Sequence, residues 1–202
     1  MNEEPSNLPI AVFLSGGGRT LANLLEHQNA FGLPIDIRLV ISSSSKVGGV
    51  QIAKDAEIET QVILKSKYAS DEAYSEAMFG PVRESGAKLV VMAGFLKHVL
   101  IPQDFDRRVI NIHPSLLPAF GGAGMYGLRV HKAAIDRGVK ISGCTVHYVD
   151  NEYDHGPIIN QRAVDVLPND TPEDLAAMVF EQECELLPDA IRQFIVPKND
   201  AD

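Results

Sequence analysis

The chain has 202 residues, a length that fits one domain and buries about 70% of the surface its unfolded form would expose. Its composition, 45% hydrophobic and 22% charged, is ordinary for a soluble globular protein. The 18 basic residues against 27 acidic ones give a formal charge of −9, which argues against a nucleic-acid or membrane-surface binder, since both need a basic face. A small phosphorylated ligand remains compatible, because a few amides and one Arg suffice to hold it.

Residues 1–202 are read as a single domain, with Met1–Pro9 expected to be a flexible, acidic tail rather than a secretory leader. Ile10–Ser15 is an apolar run expected to form a buried strand, broken by Gly16–Gly18. Thr20–Ala30 then shows helical spacing through Leu21, Leu24 and Leu25. Asp36–Ser42 is a β-branched strand, Val47–Ala56 a short helix and Gln61–Leu64 a third strand. Asp71–Glu84 is a helix capped by Ser70, with Ala73 and Met78 among its inward residues. Leu89–Ala93 is a continuous apolar strand of the kind buried on both faces. This alternation predicts an α/β fold with a doubly wound, mostly parallel sheet and right-handed crossovers.

The pattern changes after Gly94. Val109–Ile112 is a strand, Leu116–Leu128 a glycine-rich loop and Val130–Arg137 a helix. Ser142–Val149 and Ile158–Val166 are long alternating strands joined by a short loop, an antiparallel C-terminal extension. Thr171 caps the last helix, with Pro172 in its first turn, and that helix runs to about Phe194. The two cysteines, Cys144 and Cys184, form no CxxC pair and read as core filler in a reduced, cytoplasmic chain. No apolar run approaches the ~20 residues of a membrane span.

Three segments carry candidate chemistry. In Val109–Pro118, Asn111 and His113 stand two residues apart on a strand and so share a face, and Pro114 ends the ladder. An amide and an imidazole placed this way can polarise a carbonyl and stabilise the resulting charge, although a plain strand-end cap has the same residues. Ser15–Thr20 joins a strand to a helix through three glycines, which suits a single phosphate at a helix N-terminus. It lacks the third glycine of a dinucleotide turn and the Lys-Ser/Thr of a Walker loop. Asp150–Pro157 carries Asp154 before a Gly-Pro pair, where a carboxylate can favour the imidazolium form of His113 or simply bond turn amides. The remaining histidines, His27, His98, His131, His147 and His155, show no metal-ligand spacing. His147 is expected on a strand face, and His131 either supports a pocket or lies on a helix surface.

Together, Asn111-Ile-His113-Pro-Ser-Leu-Leu-Pro118, the turn Ser15–Thr20 and Gly143–Val149 with Asp154-His-Gly-Pro-Ile-Ile159 resemble the phosphoribosylglycinamide formyltransferases (GAR transformylases) of the formyltransferase superfamily. The resemblance runs from about Ile10 to Phe194. It implies transfer of the formyl group of 10-formyltetrahydrofolate, as co-substrate, to the amine of glycinamide ribonucleotide in de novo purine biosynthesis, through a tetrahedral oxyanion and without a metal. Asn111, His113 and Asp154 would be catalytic. Gly17, Gly18, Arg19, Thr20 and Glu183 would hold the acceptor's phosphate and ribose. Phe95, Leu96, Lys97, His98 and Val99 would read the folate. The partners implied are small molecules, with no nucleic acid and no membrane, and a homodimer is allowed.

Several positions depart from the family pattern. Arg19-Thr20 replaces a Ser-Asn pair in the phosphate turn, Asp71 stands where some members carry an Arg for the folate tail, and Phe180 replaces a polar residue one turn before Glu183. The loop Ala119–Arg129 is longer than in the shortest members and rich enough in glycine to form a lid. Other readings are a formyltetrahydrofolate hydrolase, a formyltransferase acting on aminoacyl-tRNA or on an amino sugar, and a non-catalytic mononucleotide-binding module.

Overall fold

The computed structural model describes residues 7–195. Its elements in chain order are β1 (Leu8–Leu14), α1 (Arg19–Ala30), β2 (Ile35–Ser42), α2 (Gly48–Asp55), β3 (Glu59–Val62), α3 (Asp71–Ser85), β4 (Leu89–Met92), β5 (Val109–His113), α4 (Leu128–Arg137), β6 (Ile141–Tyr148), β7 (Ile158–Asp165) and α5 (Pro172–Arg192). The strands form one seven-stranded sheet in the order β3-β2-β1-β4-β5-β6-β7. The first five run parallel, whereas β6 and β7 are antiparallel to their neighbours, as the change of pattern after Gly94 predicts.

Alternation along the central strands divides the core into two layers. Ile10, Val12 and Leu14 of β1, with Val91 and Ile110, pack against Leu21 and Leu24 of α1 and Leu175, Val179 and Leu187 of α5. Ala11 and Phe13, with Val90 and Val109, face Tyr74, Met78, Phe79 and Val82 of α3. Both faces of β1 and β4 are therefore covered, which is why those segments read as unbroken apolar runs.

The strand order reverses between β1 and β4, and the loops leaving their carboxyl ends are tied together there. The Ser15 amide donates to the Gly94 carbonyl at 3.1 Å, and the Leu96 amide donates to Ser15 Oγ at 2.9 Å. A crevice at this reversal is where open α/β sheets accept ligands.

The helix caps expected at Ser70 and Thr171 are present. Ser70 accepts from the Ala73 amide, and Thr171 forms a reciprocal capping box with Asp174. Three expectations need correction. β1 begins at Leu8, not after Pro9, because Leu8 and Pro9 lie in register with Ile35 and Asp36 and the Leu8 amide donates to Pro34. The other residues of the expected tail lie outside the described ones. Ala73 is exposed; Tyr74, Ser75 and Met78 form the inward stripe of α3. β3 starts at Glu59, two residues early, since pairing with β2 rather than hydrophobicity sets this edge strand. No described helix is long and apolar enough to cross a membrane.

Candidate active site

β5 delivers Asn111 and His113 to the carboxyl edge of the sheet, in register with His147 and Thr145 of β6. The loop that follows is folded back by Thr145, whose hydroxyl donates to the Ser115 carbonyl at 2.7 Å and accepts from the Leu117 amide at 3.0 Å. Ser115 Oγ donates to the Ala119 carbonyl, and the next carbonyl, that of Phe120, lies 2.9 Å from His113 Nε2. A carbonyl only accepts, so Nε2 carries a proton in every state of this ring. Any second proton sits on Nδ1, which faces Asp154 Oδ1 at 3.4 Å. The imidazole is 3% exposed yet lines a cavity of about 390 Å³, so its reactive edge is reached only from that cavity.

Asp154 comes from the loop between β6 and β7, and its backbone is left-handed at φ 53. One carboxylate oxygen accepts from the Gly122 amide at 2.9 Å; the other faces His113 and His147. A Cβ on Gly121 would stand 2.5 Å from Leu117 Cδ2 and 3.2 Å from the Asp154 side chain, so a larger residue would press on both. The glycine-rich loop thus packs directly on the carboxylate that orients the imidazole.

His147 was placed on a strand face by its alternation, and its side chain belongs to the site. Nδ1 lies 2.8 Å from the Tyr148 carbonyl, and Nε2 lies 3.1 Å from Asn111 Nδ2 and 3.7 Å from Asp154 Oδ1. Burial holds its pKa below the usual histidine value; the Tyr148 carbonyl and the charges of Asp154 and Asp150 oppose that shift, while His113 adds to it. His131, on α4, is 4% exposed and lines the same cavity with Nδ1 unpartnered. Its pKa is also lowered, first by burial and then by the charge of His113.

The far end of the cavity is built from α1 and α5. Gly18 caps α1 with a left-handed φ of 81, and no side chain caps the helix, leaving its first amides open. A Cβ on Gly18 would meet Gly49 Cα at 2.5 Å, so this glycine serves the packing of the turn on α2. Arg19 and Thr20 line the cavity, whereas Gly17 and Gly18 lie in the turn behind it. The Arg19 guanidinium stacks on the Phe180 ring at 3.5 Å, which accounts for two departures from the family pattern with one contact. Glu183, one turn further along α5, is pushed up to about 7 by burial, against the pull of Arg19.

The stretch after β4 spans two cavities. Phe95 and Leu96 line the first; Phe95, Lys97, His98 and Val99 line a smaller one of about 60 Å³. Asn111, Tyr153 and Asp154 border both and stand where the two meet, while His113 lines the larger one. The stretch is held by Asn151, which accepts at Oδ1 from the Ile101 amide and at its carbonyl from His98 Nε2. Asp71 is paired with Lys65 at 2.9 Å and approached by His98 Nδ1 at 3.5 Å, so it closes this corner with an ion pair. Among the described residues no group of three or more His, Cys, Asp or Glu side chains is placed to hold a metal ion.

The structure therefore brings Asn111, His113 and Asp154 together, with Arg19, Thr20 and Glu183 on one side and the 95–99 stretch on the other. It adds His147, Tyr153 and Phe180, which sequence reasoning did not assign. The arrangement offers an amide N–H, an imidazole Nδ1 and a carboxylate around one point. That set suits transfer of an acyl-type group between two small molecules, one of them anionic.

Known proteins agree with this geometry. A chloroplastic phosphoribosylglycinamide formyltransferase of Arabidopsis thaliana is 40% identical over 190 residues; the match covers 92% of this chain and 64% of that protein. The chain thus spans just under two thirds of this plant relative. A phosphoribosylglycinamide formyltransferase of Haemophilus influenzae is 34% identical over 92% of this chain and 86% of its own. The crystal structure of glycinamide ribonucleotide transformylase 1 from Symbiobacterium toebii superposes with a TM-score of 0.88 at 36% identity, covering 96% of this chain and 91% of that one. Residues 8–191 match the formyl transferase family, and with these relatives the match shows that the chain is a member of that family.

Proposed function

We propose that this chain transfers the formyl group of 10-formyltetrahydrofolate to the amine of glycinamide ribonucleotide. The observation that carries the reading is the meeting of His113, in the larger cavity, with Asn111 and Asp154, which border both cavities, and with Arg19 at the other end of the larger one. The larger cavity would take the phosphorylated amine, with its phosphate at Arg19, Thr20 and the open amides of α1 and its ribose at Glu183. The smaller one, opened by the entering ring, would take the pterin against residues 95–99.

In this reaction the amine nitrogen attacks the formyl carbon, and the carbonyl π pair moves to oxygen. Asn111 donates to that oxygen, and the positive charge of the His113 imidazolium stabilises it. Asp154 holds the imidazole cation and, through water, passes the amine's proton to N10 as the carbon–N10 bond breaks. Each oxyanion donor is typically worth ~3–4 kcal/mol of barrier. The net charge of −9 and the small cavities favour small-molecule partners over nucleic acid or membrane, and the reading places the protein in the cytoplasm, as a monomer or homodimer. Following 10-formyltetrahydrofolate consumption by absorbance, with and without glycinamide ribonucleotide, tests it. Consumption that requires the amine is the expected result; formate release without any amine would make the enzyme a hydrolase.

A further inference from the structure

The Asn111 carboxamide can face the reacting carbonyl in two ways, and only one of them catalyses. With Nδ2 turned inward it donates to a developing oxyanion; with Oδ1 turned inward it repels one. The choice is made behind it, on β6. His147 Nδ1 lies 2.8 Å from the Tyr148 carbonyl, a group that only accepts, so Nδ1 carries the proton. In the neutral ring this leaves Nε2 bare, and a bare nitrogen needs a donor. Asn111 Nδ2, 3.1 Å away, supplies one of its two hydrogens. The other is free for the cavity, which Asn111 lines. Thr145 and His147 lie on one face of β6, the first holding the loop after His113 and the second lying behind Asn111.

We propose that His147 is a positioning residue for formyl transfer: as the neutral Nδ1–H tautomer it fixes the Asn111 amide with Nδ2 aimed at the formyl oxygen. The inference rests on the reaction proposed above and deepens it, adding a residue that borders the smaller cavity and sets the polarity of the amide beside it. A doubly protonated His147 would withdraw the acceptor that holds Nδ2 in place, its Nε2–H turning instead to an oxygen, that of the Asn111 amide or of the Asp154 carboxylate 3.7 Å away. The 2% exposure of the ring and its fixed carbonyl partner make it suited to this task.

Long-range 1H–15N correlation spectra of the substrate-free protein at neutral pH test the tautomer. Nδ1 should be protonated and Nε2 bare; a doubly protonated ring, or a proton on Nε2 alone, overturns the proposal. Kinetics test the consequence. His147→Asn leaves a donor near Tyr148 but withdraws the acceptor from Asn111, and should lower kcat on the order of tenfold, with KM for both substrates within about twofold. His147→Gln, whose Oε1 reaches towards the place of Nε2, should retain kcat within about threefold. Equal losses in the two variants, or a loss confined to KM, contradict the assignment. In an Asn111→Ala background His147→Asn should leave kcat where it is, and an additive loss would mean that His147 acts by another route. Absence of formyl transfer in the unaltered enzyme would defeat the reaction but leave the ring measurement standing, so the two failures can be told apart. The same spectra decide the matter even if His147→Asn does not fold.

Discussion

In the proposed reaction Asn111, His113 and Asp154 divide one task. There the amide donor and the imidazole share the oxyanion, so Asn111→Ala should lower kcat by 10² to 10³, with little change in KM, in steady-state assays. The role proposed for Arg19 is a different one, in binding. Its guanidinium lies flat on Phe180 at 3.5 Å, held where an acceptor's phosphate would meet it. Cation–π contacts contribute about 0.5–2 kcal/mol, so Phe180→Leu should raise the KM for glycinamide ribonucleotide by roughly threefold to thirtyfold and leave kcat nearly intact. Glu183 makes a prediction about pH. Its carboxyl is raised from 4.5 to about 7 by burial, so the folded protein keeps a proton that the unfolded chain gives up across that range. Stability must therefore fall as pH rises from the unfolded value to the folded one. Urea unfolding at about pH 5 and about pH 7.5 should show the wild type losing up to ~3 kcal/mol relative to Glu183→Gln, less the screening by water in the cavity. A parallel pH dependence in the two proteins would contradict the burial of that carboxyl.

At the scale of elements, the sequence was clearest where a strand is buried on both faces and a helix begins with a capping side chain. The runs containing Phe13 and Val91 could hardly be anything else, and Thr171 with Pro172 marked the start of α5. Thr171→Ala removes the capping box and should cost about 1 kcal/mol, seen as a melting point lower by roughly 2–4 °C. Less legible were features set by pairing between distant segments. Pro9 reads as a strand breaker, yet β1 includes it because neighbouring strands fix the register. His147 was identified as a strand residue but not as a site residue, because its partner Asn111 lies on another strand and only the β5–β6 register joins them. The pairing of Arg19 with Phe180 was hidden for the same reason: each departs from the family pattern, and neither explains the other until α1 and α5 pack together. Motifs local in the chain, such as Asn111-Ile-His113-Pro114, could be read directly; pairings across the fold needed coordinates.

For the whole molecule, topology explains the site. The reversal of strand order between β1 and β4 opens a crevice; antiparallel β6 runs back from it, from Thr145 beside His113 to Tyr148 beside Ile110, and the loop that follows folds over the sheet so that Asp154 reaches His113. We propose that the His113 imidazole, lining the larger cavity beside Asn111 and Asp154, stabilises charge in the reaction rather than holding the fold. Measuring kcat for His113→Ala together with its affinity for both substrates tests this most directly. Turnover lower by about 10² or more, with both affinities and the folded state retained, is the result expected. An undiminished kcat in a folded variant would contradict it.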